Sequence, residues 1–277
     1  MKTWTRAAKD SDRERFVQVE SGAIKGLAYV NDVWDLFTKN NDGEFTASFL
    51  GDELGGIGKL TRIYGSFGWL EALRVHPDFQ SRGLGKAIYN RYMEQMDEMN
   101  LSAVGMYTGY KNVVSRGLAE KYGLSLQERF SEFIKSDLIK YNDIQDDFRL
   151  VDEQEGEALL GKYYADMGKF IAVNRTFYPV RPGLGEAFAK NKWLYADAQQ
   201  NMLVAGFRFQ PEKALHIPFM AGNMDKLIKS SCNMAINKGS LALSAIRVYN
   251  NEEQIDILLK NGFIKSENDL ITLWKGL

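Results

Sequence analysis

Between residues 69 and 98 of this 277-residue chain, the hydrophobic period changes once and abruptly. Trp69-Leu70-Glu71-Ala72-Leu73-Arg74-Val75 reads as a strand that Pro77 ends, because proline cannot donate to a ladder. From residue 85 to 100, Ile88, Tyr92, Met96 and Met99 recur at helical spacing, with Asn90, Arg91, Glu94, Gln95 and Glu98 on the other face. Between the two lies His76-Pro77-Asp78-Phe79-Gln80-Ser81-Arg82-Gly83-Leu84-Gly85-Lys86. A strand that runs through a two-glycine loop directly into an amphipathic helix commits this part of the chain to the α/β (α+β) class. The amides at such a helix start have no intrahelical partner, and the helix dipole places about half a positive charge there. Glycine at 83 and 85 lets an anion approach the backbone, and Arg82 and Lys86 add cationic charge. The segment is thus a diphosphate cradle or else a plain Gly-x-Gly turn. A nucleotide P-loop is excluded, since Gln80 and Ala87 stand where it needs Gly and Ser/Thr. A dinucleotide fingerprint fails too, with Ile88 at the place of its third glycine.

The rest of the first half continues the alternation of strands and helices. Residues 3–8, 45–49, 59–64, 101–107 and 127–134 read as strands, the second of them with the period-two alternation of a half-buried one. The Asp10/Ser11 pair offers a cap to a polar first helix, and residues 113–121 form a helix that Gly123 closes. The second half repeats this ending. Asn112 precedes Gly123 by the same interval by which Asn251 precedes Gly262, and each pair is flanked by strands. A matched strand–helix–strand unit at about half the chain length argues for duplication. The polar break around residues 142–148 places the boundary, giving domains 1–145 and 146–277.

Lys plus Arg number 35 and Asp plus Glu 36, a net charge of −1. That balance excludes a typical nucleic-acid binder, which carries a basic surplus. One cysteine and two histidines exclude a disulfide framework and a Cys/His zinc site, so no metal is expected. Met1-Lys2-Thr3-Trp4-Thr5-Arg6 opens no apolar signal region and no membrane-length apolar run follows, so a soluble, cytoplasmic protein without membrane partners is expected. Oligomeric state is not legible.

Gln80-Ser81-Arg82-Gly83-Leu84-Gly85 resembles the Gln/Arg-x-x-Gly-x-Gly/Ala loop of the GCN5-related N-acetyltransferases (GNAT). Leu73-Arg74-Val75-His76-Pro77 resembles that family's fourth strand and its exit, and Asn112 to Gly123 resembles its Asn-x-x-Ala…Gly-Phe helix, with Ser115 for Ala and Leu124 for Phe. The resemblance implies two GNAT-like domains, each a mixed, mostly antiparallel sheet flanked by helices. It implies acetyl-CoA as co-substrate and an amine, small molecule or peptide, as acceptor. The backbones of Leu73, Arg74 and Val75 would pair with the pantetheine arm, the amides of Gln80, Ser81, Arg82, Gly83, Leu84, Gly85 and Lys86 would hold the pyrophosphate, and Asn112 would lie beside the arm. The second domain resembles the family in outline alone. Its counterpart loop, residues 219–224, shares one glycine and has no basic residue, so that domain reads as a degenerate copy lining the substrate cleft. Arg181-Pro182-Gly183-Leu184-Gly185-Glu186 mimics the loop but reads as a turn and helix start.

The resemblance also implies a Glu that takes the amine's proton, and Glu71 is the candidate base. Two residues before Leu73, it is expected on the same strand face. The acid is open: Ala119 occupies the family's usual tyrosine position, leaving Tyr122, Tyr107, Tyr110 or water. His76, at a strand exit before Pro77, reads as a cap or a surface residue rather than a catalytic one. A binding module that holds acyl-CoA without turnover is the alternative function.

Overall fold

A computed structural model describes residues 1–27, 29–144 and 147–277. It divides into two compact units, the first made of Met1–Met106, Val114–Ser125 and Leu273–Leu277, the second of Tyr107–Val113 and Leu126–Thr272. The expected boundary at 145 falls on Gln145 and Asp146, outside the described residues. The residues from Leu126 to Thr272 belong to the second unit, and the last residues, Leu273–Leu277, to the first.

The first unit contains β1 (Thr3–Ala7), α1 (Arg13–Ala23), α2 (Val30–Lys39), β2 (Phe45–Leu50), β3 (Glu53–Tyr64), β4 (Phe67–Val75) and α3 (Leu84–Glu98). It also holds the start of β5 (Ala103–Gly109) and most of α4 (Val113–Lys121). Strands β1 to β4 pair antiparallel in sequence order, and β5 joins β4 in parallel. In α2, Val30, Val33, Trp34 and Phe37 form a buried stripe at i, i+3, i+4 and i+7. Phe45 of β2 meets Phe16, Trp34 and Phe37 from the helices on one face. On the other face Thr46 and Ser48 meet Gln95 and Leu84 of α3. β2 is therefore buried on both faces, not half-buried as its alternation suggested. Gln95, expected on the solvent side of α3, is buried because it donates to Thr46 Oγ1 at 3.2 Å. The glycines at 55, 56 and 58 do not precede β3 but lie inside it. A Cβ at Gly58 would drive into Ile88 and Tyr92, so the missing side chains let α3 lie close on the strand.

The second unit contains β6 (Ser125–Lys135), β7 (Arg149–Leu150), α5 (Glu153–Leu160), β8 (Phe170–Val173), β9 (Thr176–Pro179) and α6 (Leu184–Lys190). It continues with β10 (Leu194–Ala196), β11 (Met202–Gly206), β12 (Leu215–Ala221), α7 (Met224–Asn237), β13 (Leu243–Val248), α8 (Glu252–Lys260), β14 (Ile264–Lys265) and the start of β15 (Leu270–Lys275), whose last residues belong to the first unit. The sheet runs β6-β13-β12-β11-β10-β7, antiparallel except for β12 and β13, and β8 and β9 form a separate hairpin. Leu203, Leu215, Ile217, Leu227, Ile228 and Leu243 belong to its core. The mixed, mostly antiparallel sheet expected for both halves is what the chain forms.

Candidate active site

In each unit one parallel pair opens into a fork. β4 and β5 pair at Phe67↔Ala103, Gly68↔Val104 and Trp69↔Gly105, and the pairing ends there. Trp69 packs against Trp274 with ring centroids 5.8 Å apart, and the same indole leaves no room for a Cβ at Gly105. A close-packed aromatic wedge thus fixes where the first fork begins.

Just beyond it, β4 is bulged. Lys59 pairs with Glu71 and Ile57 with Arg74, so Ala72 and Leu73 together face the single residue Gly58. Ala72 takes a left-handed conformation, φ 57°, uncommon for a residue with a Cβ. The bulge breaks the period of two, so spacing no longer places Glu71 and Leu73 on one face, and that expectation fails. Glu71 instead shares a face with its direct partner Lys59, whose ammonium is buried 3.1 Å from Asp42 and near the Phe37 ring of α2. The half-buried Glu71 carboxylate accepts a hydrogen bond from Thr61 Oγ1 at 2.6 Å. Glu71 therefore looks to the α1–α2 side of the sheet, opposite α3.

The loop after β4 behaves as its sequence promised. Pro77–Phe79 forms a short turn of helix, and His76 caps it by accepting from the Asp78 amide at 3.4 Å. The capping role assigned to His76 is the one seen. Gly83 is the N-cap of α3 with φ 94°, and no side chain caps this helix. The first intrahelical bond runs from Ala87 N to Gly83 O, 2.9 Å. Among the described residues, the amides of Leu84, Gly85 and Lys86 meet no acceptor. Space over Gly83 is open: an added Cβ would find nothing nearer than Thr3 at 3.6 Å. Ser81, Arg82 and Lys86 are exposed, and neither cation is in an ion pair among the described residues. On the strand edge, Leu73 O accepts from the Arg74 guanidinium at 2.7 Å and Val75 O from Gln80 Nε2 at 3.4 Å. Arg74 Nε is buried without a hydrogen-bond partner among the described residues. An uncapped helix start, an open glycine and an orphaned buried donor beside a strand edge fit a phosphorylated, arm-like ligand.

The remaining candidates lie elsewhere. Asn112 clusters with the second unit, where it borders a cavity of 610 Å³ with Lys111, Arg129, Lys265 and Asp269. Tyr122 stacks on Tyr89 at 4.8 Å, and its hydroxyl faces Lys86 O and Asn90 Oδ1, each at 2.9 Å. Partial burial raises its pKa. These contacts make Tyr122 a brace between α4 and α3. Ala119 is fully buried in α4. Neither the bulge nor the Thr61–Glu71 bond was read from the sequence; the glycine opposite the bulge, Gly58, is the one trace it left there.

The second unit closes what the first leaves open. β12 and β13 pair only at Leu215↔Leu243 and His216↔Ser244 before their fork. Arg247 crosses that fork from β13, donating to Ile217 O at 3.1 Å and Pro218 O at 3.0 Å of β12. Between β12 and α7 stand only Gly222 and Asn223, in place of the long connection 76–83. Asn223 caps α7 through the Lys226 amide at 3.1 Å and has its own amide bound by Asn201 Oδ1 at 2.7 Å. The look-alike string at 181–186 does form a turn and the start of α6. Its Gly183, φ 92°, copies the conformation of Gly83. There, however, the Gly185 amide is bound by Glu157 Oε2 at 3.0 Å and by the Tyr164 hydroxyl at 3.1 Å.

Residues 8–124 match the acetyltransferase (GNAT) family. No curated protein matches the chain by sequence. Among solved structures, a candidate acetyltransferase from Pyrococcus horikoshii superposes with TM-score 0.66 at 15% identity, covering 99% of this chain and 89% of its own. A GCN5-related N-acetyltransferase from Sphaerobacter thermophilus gives 0.64 at 12% identity, covering 99% and 95%. A tandem GNAT protein from the clavulanic acid biosynthesis pathway gives 0.62 at 9% identity, covering 99% and 98%. Those likenesses run through both halves of the chain and show its fold, and among the described residues no helix is long and apolar enough to cross a membrane. The fork and the uncapped helix start of the first unit both lie within residues 8–124, the segment that matches the acetyltransferase (GNAT) family.

Proposed function

We propose that the first unit transfers an acetyl group from acetyl-CoA to a primary amine by direct attack in a ternary complex. The observation that carries this reading is the start of α3, where three free amides, Gly83 and two exposed cations converge beside an unpaired strand edge. The amides at 80–86, with Arg82 and Lys86, would hold the pyrophosphate. The edge at Leu73, Arg74 and Val75 would hold the pantetheine arm once Arg74 and Gln80 release its carbonyls. Acetyl-CoA supplies the activated acyl group as a thioester. The extra residue of the bulge at Ala72–Leu73 leaves the ladder, offering a backbone donor where charge develops on the acyl oxygen. Glu71 takes the proton that the amine loses as its nitrogen bonds to the acyl carbon and the carbon–sulfur bond breaks. No side chain of the first unit is needed as acid, because a thiol of pKa near 8.5 leaves readily and water can protonate it. The amine class decides how much Glu71 matters. A lysine-like amine must shed a proton held at about pKa 10.4, an α-amine one held at about 8.

The test is thiol release from acetyl-CoA with pooled amino acids, polyamines, aminoglycosides and peptide N-termini. Turnover with at least one pool is expected. Glu71→Gln should then lower the rate about 10²–10⁴-fold on a high-pKa amine at pH 7, with acetyl-CoA affinity unchanged. The defect should shrink as pH rises and solvent removes the proton instead. A full rate with an unchanged pH profile would reduce Glu71 to scaffold. CoA binding with no turnover on any pool would favour a binding module.

A further inference from the structure

The fork of the second unit opens onto a cavity of 520 Å³. Phe130, Met167, Phe170, Phe219, Ile246 and Val248 form the apolar part of its lining, and polar residues of the loop before α8 and its first turn form much of the rest. Arg247 also lines it and is 7% exposed. Its guanidinium donates to Ile217 O, Pro218 O and Ile246 O, at 3.1, 3.0 and 2.9 Å. Those bonds use three of five N–H donors. Among the described residues no carboxylate comes within ion-pair distance of it, and burial without a counter-charge pulls its pKa down to about 10. Removing a charge from water without a partner is costly, and carbonyl dipoles offset the cost in part only. The start of α8 lines the same cavity. Asn251 Oδ1 accepts from the Gln254 amide at 3.2 Å, while the amides of Glu252 and Glu253 meet no acceptor among the described residues. The acidic side chains that line the cavity, Asp166, Glu252 and Glu253, are exposed at its rim.

From this arrangement we propose that the cavity binds a small organic carboxylate, its apolar body among the phenylalanines and its carboxylate against Arg247. One buried guanidinium matches one negative charge, and a guanidinium pairs with carboxylate through parallel hydrogen bonds. The acidic rim repels polyanions such as CoA, so the site discriminates by charge number as well as by shape. The volume falls in the range of small-molecule sites, about 300–1,000 Å³. This proposal is independent of acyl transfer in the first unit.

Calorimetry on the full chain, with CoA present in excess, would compare hexanoate, 3-phenylpropionate and indole-3-acetate with their primary amides. At least one acid should bind at one site per chain, with its amide and Arg247→Gln each at least about tenfold weaker, a difference of about 1.4 kcal/mol. Arg247→Lys should recover part of the affinity. The bound acid should shift the methyl resonance of Met167, assigned by Met167→Leu. Should Arg247→Gln not fold, the acid–amide contrast and the Met167 shift on the parent decide alone. No binding by any acid up to ~10 mM, equal binding of acid and amide, or displacement by CoA would overturn the proposal.

Discussion

The starts of α3 and α7 stand at the same place in two similar folds, each following the strand that leads into a fork, and they differ in who satisfies them. At α3 nothing among the described residues does: Gly83 lacks a side chain and the amides of Leu84, Gly85 and Lys86 meet no acceptor there. At α7, Asn223 and Asn201 supply the oxygens from within. α6 goes further, since its glycine start has the geometry of the α3 loop and holds a carboxylate, Glu157, where an external anion could sit. The forks differ in the same sense, because Arg247 crosses the second while the first ends on the strand edge of Leu73–Val75. If the first unit holds CoA as proposed, it does so where the chain leaves its own backbone amides unsatisfied.

That comparison is most exposed at Gly85. A Cβ there would already press Leu118 at 3.3 Å, and the rest of a valine side chain would stand over the free amides. Loss of two charge-assisted hydrogen bonds at about 1.5–3 kcal/mol each predicts a fall in CoA affinity of about 10²- to 10⁴-fold for Gly85→Val. Gly83→Val should lose affinity likewise, with added strain at φ 94°. Calorimetry should also give one CoA per chain for the parent. A stoichiometry of two, or unaltered binding by both variants, would mean that the two helix starts are not distinguished by their caps.

A second contrast lies where the forks begin, at Trp69 in one unit and His216 in the other. Burial lowers the His216 pKa from 6.5 to about 4. The unfolded chain therefore binds a proton as pH falls through about 6.5, while the folded one holds out to about 4. Stability contributed above pH 6.5 should be lost across that window, by about 3 kcal/mol at most. His216→Leu should flatten this part of the acid limb in urea unfolding from pH 7 to 4.5. Parallel curves for variant and parent would remove His216 as its cause.

The smallest effect expected is at Asn223. Replacing it by Ala should cost about 1 kcal/mol, the usual worth of an N-cap, and should create no CoA site, because Asn201 still holds the adjacent amide. Gain of CoA binding in Asn223→Ala would show that the cap alone had closed the second unit.

Much of the first unit was legible because its signals are local. The period change from Glu71 to Ile88, proline at 77 and glycine at 83 each act on neighbouring residues, and α3 starts within a residue of its expected place. Burial of β2 on both faces was not legible, since Thr46 and Ser48 are polar and find partners on α3, far away in sequence. The bulge escaped for a similar reason. Alanine carries no preference for φ 57°, and the extra residue is defined by the register of β3 and β4 together. Tyr122 is one of several tyrosines left open as the acid, and its surroundings are set by Tyr89, Lys86 and Asn90, which lie more than thirty residues away in sequence. In the second unit Gly183 copies Gly83 locally, and its string forms the turn and helix start expected of it. What separates it from Gly83 is Glu157, which its own sequence neighbourhood cannot reveal.

Trp274, from the far end of the chain, wedges against Trp69 and fills the space at Gly105 where the first fork begins. During synthesis, the N-terminal residues of a chain emerge first and usually fold first. Here the first unit lacks its wedge until residues 273–277 have been made, by which time the second unit's residues are already available to fold. A nascent chain cannot present a finished first fork ahead of its remaining half, and a fragment cut near residue 145 would carry the loop without the aromatic stop that sets it.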